Sequence, residues 1–239
     1  MPRILGGIAA LLVGVGLVGS GTAVAVDDPA ASGAPAVGSC FAVTAGEAAD
    51  AWLDQAPVDC AAPHTAQVVA TGMLPPPLTW DHPQEQLLDV MSEQCWLALF
   101  RKVGRNPLLL LRSQYSVIFF GPDPGQQAAG ARWFSCHAVV AEDDRLGELP
   151  NPLPRLSNRL PDSVAACLTR KAAHTTCADA HAWRSSYVFF ARGRTTQRNI
   201  RLMADQICPG RVTTPRWSFT WVDVPGPAYV MACYSQTRR

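Results

Sequence analysis

Eight cysteines divide this 239-residue chain into the same pattern written twice. The first set is Cys40, Cys60, Cys95 and Cys136, and the second is Cys167, Cys177, Cys208 and Cys233. In each set the second cysteine is followed by alanine and then, four positions after the cysteine, by a histidine that leads into an apolar run. An even number of cysteines in a repeated frame predicts disulfides, export and a duplicated domain.

The N-terminus is organised like an export signal. Arg3 supplies a positive charge, Ile4 to Val26 is an uncharged run of 23 residues, and Ala23-Val24-Ala25 fits the small-residue site that signal peptidase cleaves. We therefore predict a signal peptide over residues 1–25. A retained N-terminal membrane anchor is the alternative, because a run of this length can span a bilayer.

Composition divides the rest of the chain into two domains. Residues 26–38 are rich in Ala, Gly, Pro and Asp and predict a flexible tether, whereas residues 142–161 carry four prolines and predict a semi-extended linker. These segments leave a first domain at 39–141 and a second at 162–239. We expect an α+β fold of two tandem small domains, each an antiparallel sheet with one packed helix and two disulfides.

Hydrophobic periodicity predicts the elements of the first domain. A helix follows the proline run at 75–77, with Asp81 as its N-cap, and it ends at Gly104. Its apolar face is Leu87, Leu88, Met91, Cys95 and Leu99. Strands are predicted at Cys40–Val43, Ala66–Met73, Leu108–Phe120 and Arg132–Val140.

The second domain repeats this order in a shorter form. Its helix, capped by Thr196, presents an apolar face made of Ile200, Met203, Ala204, Ile207 and Cys208. Strands are predicted at His181–Phe190, Arg216–Val222 and Ala228–Tyr234. Trp183, Tyr187 and Phe189 alternate along the first of these strands and predict one buried sheet face.

The places of the cysteines on these elements predict their pairing. In both domains the third cysteine lies late on the apolar stripe of the helix and the fourth lies on the final strand, so a helix packed on the sheet brings them together. This predicts Cys95–Cys136 and Cys208–Cys233, and by elimination Cys40–Cys60 and Cys167–Cys177. Four cysteines in a domain allow three pairings, so the other two pairings in each domain stay open.

Three short motifs in the first half carry a family resemblance. They are Gly38-Ser-Cys-Phe41, Val58-Asp-Cys-Ala-Ala-Pro63-His64, and Gly130-Ala-Arg132-Trp-Phe-Ser-Cys136. With the helix cysteine between them, they resemble the septum-formation domain family, which consists of exported or membrane-anchored proteins of actinobacteria. The resemblance covers about residues 37–140, and the second half resembles a diverged copy that keeps His181. It implies a role in septum formation and no particular reaction.

The histidines and acidic residues do not predict a reaction centre. Cys60 with His64, and Cys177 with His181, have the spacing of metal half-sites, but zinc needs four ligands and disulfides consume the cysteines. The sequence has no nucleophile-elbow or metalloprotease motif, and its acidic run at 142–144 falls in the predicted linker as solvated charge. We predict no catalytic residue, metal or other cofactor, and a structural role for His64.

Charge is spread unevenly between the halves. Residues 27–141 carry 5 Lys and Arg against 11 Asp and Glu, whereas residues 162–239 carry 11 against 4. Arg192, Arg194, Arg198 and Arg201 are the predicted anion-binding residues, the last three at i, i+4 and i+7 along one helix edge. A solvated helix face, or docking of the basic domain on the acidic one, are the alternatives.

We expect a non-enzymatic binding protein of the cell envelope, associated with septum formation or cell division. The expected partner is an envelope or membrane protein, an anionic envelope polymer or lipid headgroups, and not nucleic acid. The protein is expected outside the cytoplasm, secreted or anchored by its N-terminus. A structural or regulatory subunit of a membrane complex, and an envelope hydrolase or transferase with an inter-domain site, are the alternative functions.

Overall fold

The computed structural model describes residues 28–192, 196–224 and 228–237. The predicted signal peptide and Arg194 lie outside the described residues. Across these three ranges, no helix combines the length and hydropathy needed to cross a bilayer. The same ranges hold two antiparallel sheets, a few helices and four disulfides, so the predicted α+β class is confirmed.

The N-terminal half forms one antiparallel sheet. Its strands are β1 (Cys40–Phe41), β2 (Ala66–Met73), β3 (Tyr115–Phe120), β4 (Trp133–Ala141) and β5 (Leu146–Gly147). They lie in the order β1-β2-β4-β3, and β5 pairs with β4. The helices of this half are α1 (Gln84–Val103), α2 (Pro107–Leu110) and α3 (Pro124–Ala128).

The C-terminal half forms a second sheet in which four strands repeat the order of the first, whereas the fifth strand lies at a different edge. Its strands are β6 (Ala166–Leu168), β7 (His174–Thr176), β8 (Trp183–Arg192), β9 (Trp217–Val224) and β10 (Ala228–Gln236), and its helix is α4 (Gln197–Ile207). They lie in the order β7-β6-β8-β10-β9. In this order β6, β8, β10 and β9 occupy the places of β1, β2, β4 and β3.

The strand register repeats as closely as the strand order. Cys40 pairs with Gln67 in the first sheet, and Cys167 pairs with Arg184 in the second. The corresponding strands β2 and β8 also each have a bulge at one unpaired residue. These residues are Val69 in β2 and Ser186 in β8, and each lies nine positions after the second cysteine of its half. The internal repeat is therefore present in the backbone as well as in the cysteines.

Helix α1 packs on β4 through a stripe that recurs at every fourth residue. Its buried residues are Leu87, Met91, Cys95, Leu99 and Val103. The N-terminal part of this stripe contacts Phe134 and Cys136, and the C-terminal part contacts Ala138 and Val140. Gly104 ends the helix at a φ of 132°, a conformation that favours glycine, as the sequence predicts.

Two boundaries in the first half differ from the prediction. Asp81 does not cap α1, which begins at Gln84 after Pro83, because residues 79–82 form a turn in which His82 Nδ1 accepts from the Thr79 amide. The strand predicted from Leu108 begins only at Tyr115. Asn106 accepts hydrogen bonds from the next two available amides and starts α2 instead.

The predicted disulfide pairing is confirmed at all four bridges. Cys95–Cys136 joins the middle of α1 to the inner strand β4, and Cys208–Cys233 joins the C-terminal end of α4 to the inner strand β10. Cys40–Cys60 and Cys167–Cys177 join the first strand of each half to the segment beside it. No free cysteine occurs in the described ranges, which include all eight.

We predict that the cost of losing a disulfide follows the length of the loop that it closes. Replacing Cys95 and Cys136 by alanine, a loop of 41 residues, should lower the free energy of unfolding by about 4 kcal/mol, against about 2.7 kcal/mol for the 10-residue Cys167–Cys177 loop. Urea unfolding of the two double variants measures both values. Equal costs, or a larger cost for the shorter loop, would contradict the prediction.

The segment at 142–161 packs against the first sheet. Leu149 and Leu153 lie in the same buried cluster as Leu99 and Val103, and the Leu149 amide donates to the carbonyl of His64. After this segment, Ala165 of the second half forms an isolated antiparallel bridge with Ser113 of the first half. The proline-rich segment is therefore packed against the first half along much of its length.

Glu142 fastens the two halves together. Its side chain is 3% exposed and accepts from the Thr175 hydroxyl and the Thr176 amide, while Arg145 forms ion pairs with both Glu142 and Asp179. The carboxylate of Glu142 is the main cause that raises the pKa of Arg145. The prediction of solvated charge at 142–144 is therefore wrong for Glu142, because β7 of the second half covers it.

We predict that Glu142→Gln lowers the free energy of unfolding by about 2 kcal/mol, because a buried charged acceptor of several hydrogen bonds is weakened. Asp179→Asn is the matched control, since Asp179 is 49% exposed and its ion pair should contribute less than about 1 kcal/mol. Thermal or urea unfolding gives both values. If Asp179→Asn lowered the free energy of unfolding as much as Glu142→Gln does, the assignment of Glu142 as the main contact between the halves would be contradicted.

Candidate functional site

Helix α4 covers its sheet less completely than α1 does. It has 11 residues against 20, and its buried side chains are Ile200 and Ala204. Five aromatic side chains on the surrounding strands are consequently only partly buried on this face of the sheet: Tyr187, Phe189, Trp217, Phe219 and Trp221. We call this set the aromatic face.

Two arginines lie over rings of the aromatic face. The guanidinium carbon of Arg201 is 5.6 Å from the ring centres of both Trp217 and Phe219. The guanidinium carbon of Arg211 is 4.8 Å from the ring centre of Tyr187, which stacks on Phe189 at 5.8 Å. Because a cation is attracted to the negative face of a ring, these contacts hold two exposed charges above apolar surface.

Three of the four predicted anion-binding arginines lie in the described residues, on two different elements. Arg198 and Arg201 are exposed on α4, and Arg192 is exposed at the end of β8. Arg201 also pairs with Asp205 at 3.1 Å. Arg211 belongs to the same surface but was not in the predicted set, because it follows the helix in a turn where no periodicity signals its direction.

The aromatic face includes two of the three residues that the sequence assigned to one strand face. Tyr187 and Phe189 border the cluster under α4, but Trp183 packs with Val188 and Tyr234 in a different cluster. The prediction is therefore wrong for Trp183. The bulge at Ser186 adds one residue to β8, which reverses the alternation of side chains between Trp183 and Tyr187.

The family-motif residues occupy turns and loops. Arg132 donates to the carbonyls of Leu74 and Leu78 at 2.9 Å, which holds the proline-rich loop against β4. Gly130 has a φ of 96°, so this turn after α3 favours glycine. Pro63 is exposed and precedes His64, which is buried. The contacts of Arg132 and the backbone conformation of Gly130 give these two motif residues an architectural role.

His64 and His181 make the same contact in the two halves. His64 Nδ1 lies 2.9 Å from the carbonyl of Ala62, and His181 Nδ1 lies 2.7 Å from that of Asp179, in each case two residues back. In the described part of the chain, His181 also forms a candidate metal cluster with Cys167 and Cys177, their donor atoms within 4.8 Å of one another. Both sulfurs are joined in the disulfide, so neither is available as a thiolate ligand.

Ser135 and His137 form a buried polar pair on β4. His137 is 1% exposed, and its Nε2 lies 2.9 Å from the hydroxyl oxygen of Ser135. Burial lowers the pKa of His137 to about 4. Sequence reasoning missed both residues, although two polar side chains at i and i+2 in an apolar strand are a signal that alternation could have found.

Comparisons of the chain with models of known protein families, with curated proteins and with solved structures gave no match. The resemblance to the septum-formation domain family therefore stays a prediction from the quoted motifs.

We predict that His137 makes the fold sensitive to acid. Its pKa in the folded state, about 4, lies below the ordinary value of 6.5, so the unfolded state binds the proton more tightly. The resulting stabilisation is complete above pH 6.5 and should decline by about 3 kcal/mol as the pH falls to 4. Urea unfolding across this range, compared with His137→Phe, isolates the effect. An unchanged pH dependence in the variant would contradict it.

Proposed function

We propose that this protein is a binding component of the cell envelope, without enzymatic activity of its own, whose C-terminal half contacts an anionic polysaccharide. The observation that carries the proposal is the pair of arginines held over partly exposed aromatic rings. Four disulfides indicate an oxidising, extracytoplasmic environment, where such polymers occur. We propose that the protein is secreted or is anchored to the cytoplasmic membrane by its N-terminus.

The chemistry of the aromatic face suits a charged sugar polymer. The apolar faces of sugar rings can stack on Trp221, which belongs to the same face, is amphipathic and loses little conformational freedom on binding. The guanidinium groups of Arg201 and Arg211 can bind carboxylate or phosphate groups in a two-pronged geometry. A basic half also attracts a polyanion at a distance.

A reaction centre between the halves has less support. The carboxylates that converge there, Glu142 and Asp179, are both bonded to Arg145, and Glu142 accepts two further hydrogen bonds from β7. Neither carboxylate is thus arranged as a free acid or base. We accordingly assign this cluster to the attachment of one half to the other.

We propose a role in septum formation on the family resemblance. An export-competent fluorescent fusion in dividing cells tests this part separately. Enrichment at the division site is the expected result, and a uniform peripheral signal would contradict it.

We predict that Arg201→Ala with Arg211→Ala weakens binding to a polyuronate by about tenfold, because two charge-assisted contacts are lost. Arg101→Ala with Arg105→Ala removes the same charge from exposed positions of the acidic half and should change the affinity less than twofold. Co-sedimentation or calorimetry with polygalacturonate, with neutral amylose and with phosphatidylglycerol vesicles distinguishes the partners. Equal losses in both double variants, or binding to vesicles alone, would overturn the proposal.

A further inference from the structure

A cavity opens on the face of the first sheet that α1 does not cover. Side chains alternate along β4, so Phe134 and Cys136 face α1 while Ser135 and His137 face the opposite side. On that side a cavity of about 280 Å³ is lined by both polar residues. Phe41 and Phe120 flank His137, with ring centres 5.3 and 5.1 Å from the imidazole.

The outer wall of the cavity comes from the loop between the first two cysteines. Trp52, Leu53 and Gln55 of this loop line the cavity. The loop is fixed to the end of β3, because Trp52 bridges to Gly121 and the Gly121 amide donates to the carbonyl of Ala51. The loop is thus held against the sheet at the place where it lines the cavity.

His137 retains an unused hydrogen-bonding atom at this site. Its Nε2 is paired with Ser135, but its buried Nδ1 has no hydrogen-bond partner. We assign the Ser135 hydroxyl as the donor to the carbonyl of Phe120, 3.3 Å away, so that Nε2–H donates to Ser135 and Nδ1 is an acceptor. A buried polar atom without a partner calls for an explanation, and His137 Nδ1 is one such atom that belongs to a residue lining a cavity.

The second repeat shows that the fold does not require this polar pair. Cys233 occupies the place of Cys136, so Ala232 and Tyr234 stand where the first repeat has Ser135 and His137. The hydroxyl of Tyr234 lies 3.4 Å from that of Thr220 and has a partner. The loop that walls the cavity is also shorter there, since its two cysteines are 10 residues apart instead of 20.

We propose that this cavity is a binding site for a small, uncharged aromatic molecule whose hydroxyl or ring N–H donates to His137 Nδ1. The walls of Phe41, Leu53 and Phe120 match an apolar ring. Among the described residues that line the cavity, Asp123 is the one charged side chain, and it is occupied as the N-cap of α3. An anionic ligand would lose its hydration without gaining an opposite charge, and for a cationic ligand the Asp123 carboxylate is already engaged by the Gln126 amide.

The test is titration of the ¹⁵N-histidine-labelled protein with phenol and indole, followed by the nitrogen resonances of His137. Benzoate and benzylamine are charged probes of similar size. The expected result is a saturable shift of the Nδ1 resonance with phenol or indole and none with the charged probes. The His137→Phe variant assigns the resonance.

A pair of matched variants separates this site from binding elsewhere. Leu53→Trp fills the cavity wall and should abolish the shift, whereas Leu97→Trp makes the same change on the exposed side of α1 and should leave it unchanged. The proposal is overturned if no neutral probe shifts Nδ1 at millimolar concentration, if charged probes shift it equally, or if the response survives Leu53→Trp. An Nδ1 already hydrogen-bonded in the free protein and unaffected by every probe would mean bound water, and would overturn it as well.

Discussion

The disulfide from the helix to the central strand is the constraint on which both halves depend. Cys95 and Cys136 in one half, and Cys208 and Cys233 in the other, are almost completely buried and hold the helix to one face of its sheet. The two candidate binding surfaces lie where the helix does not cover its sheet. In the first half this is the face of the sheet opposite α1, where the cavity lies. In the second half it is the part of the sheet that the short helix α4 leaves uncovered, where the aromatic rings lie.

Duplication explains how one scaffold carries two different surfaces. The strand order, the register at the first cysteine and the bulge position are common to both halves. The halves differ in three features outside the shared strand order. These are the length of the loop between the first two cysteines, the length of the helix, and the side chains on the sheet surface that the helix leaves uncovered. The copies could therefore diverge in what they contact while their cores stayed closed.

The sequence predicts features that repeat and misses features that depend on tertiary contacts. Cysteine spacing and hydrophobic periodicity predict the fold class, the longer helices α1 and α4 and all four bridges, but not the short helices α2 and α3. The bulge at Ser186 is invisible to periodicity, and it alone transfers Trp183 to another cluster. Arg211 and His137 were missed because a turn fixes the first and the covering loop decides whether the second borders a cavity.

The four bridges have one more consequence, which concerns how the chain matures. Each bridge joins neighbouring cysteines along the sequence, so the loops follow one another and none encloses another. A chain that leaves a membrane channel N-terminus first exposes each correct pair before the next cysteine appears. Pairing in order of emergence then yields the native set, and no bridge needs to be exchanged for another.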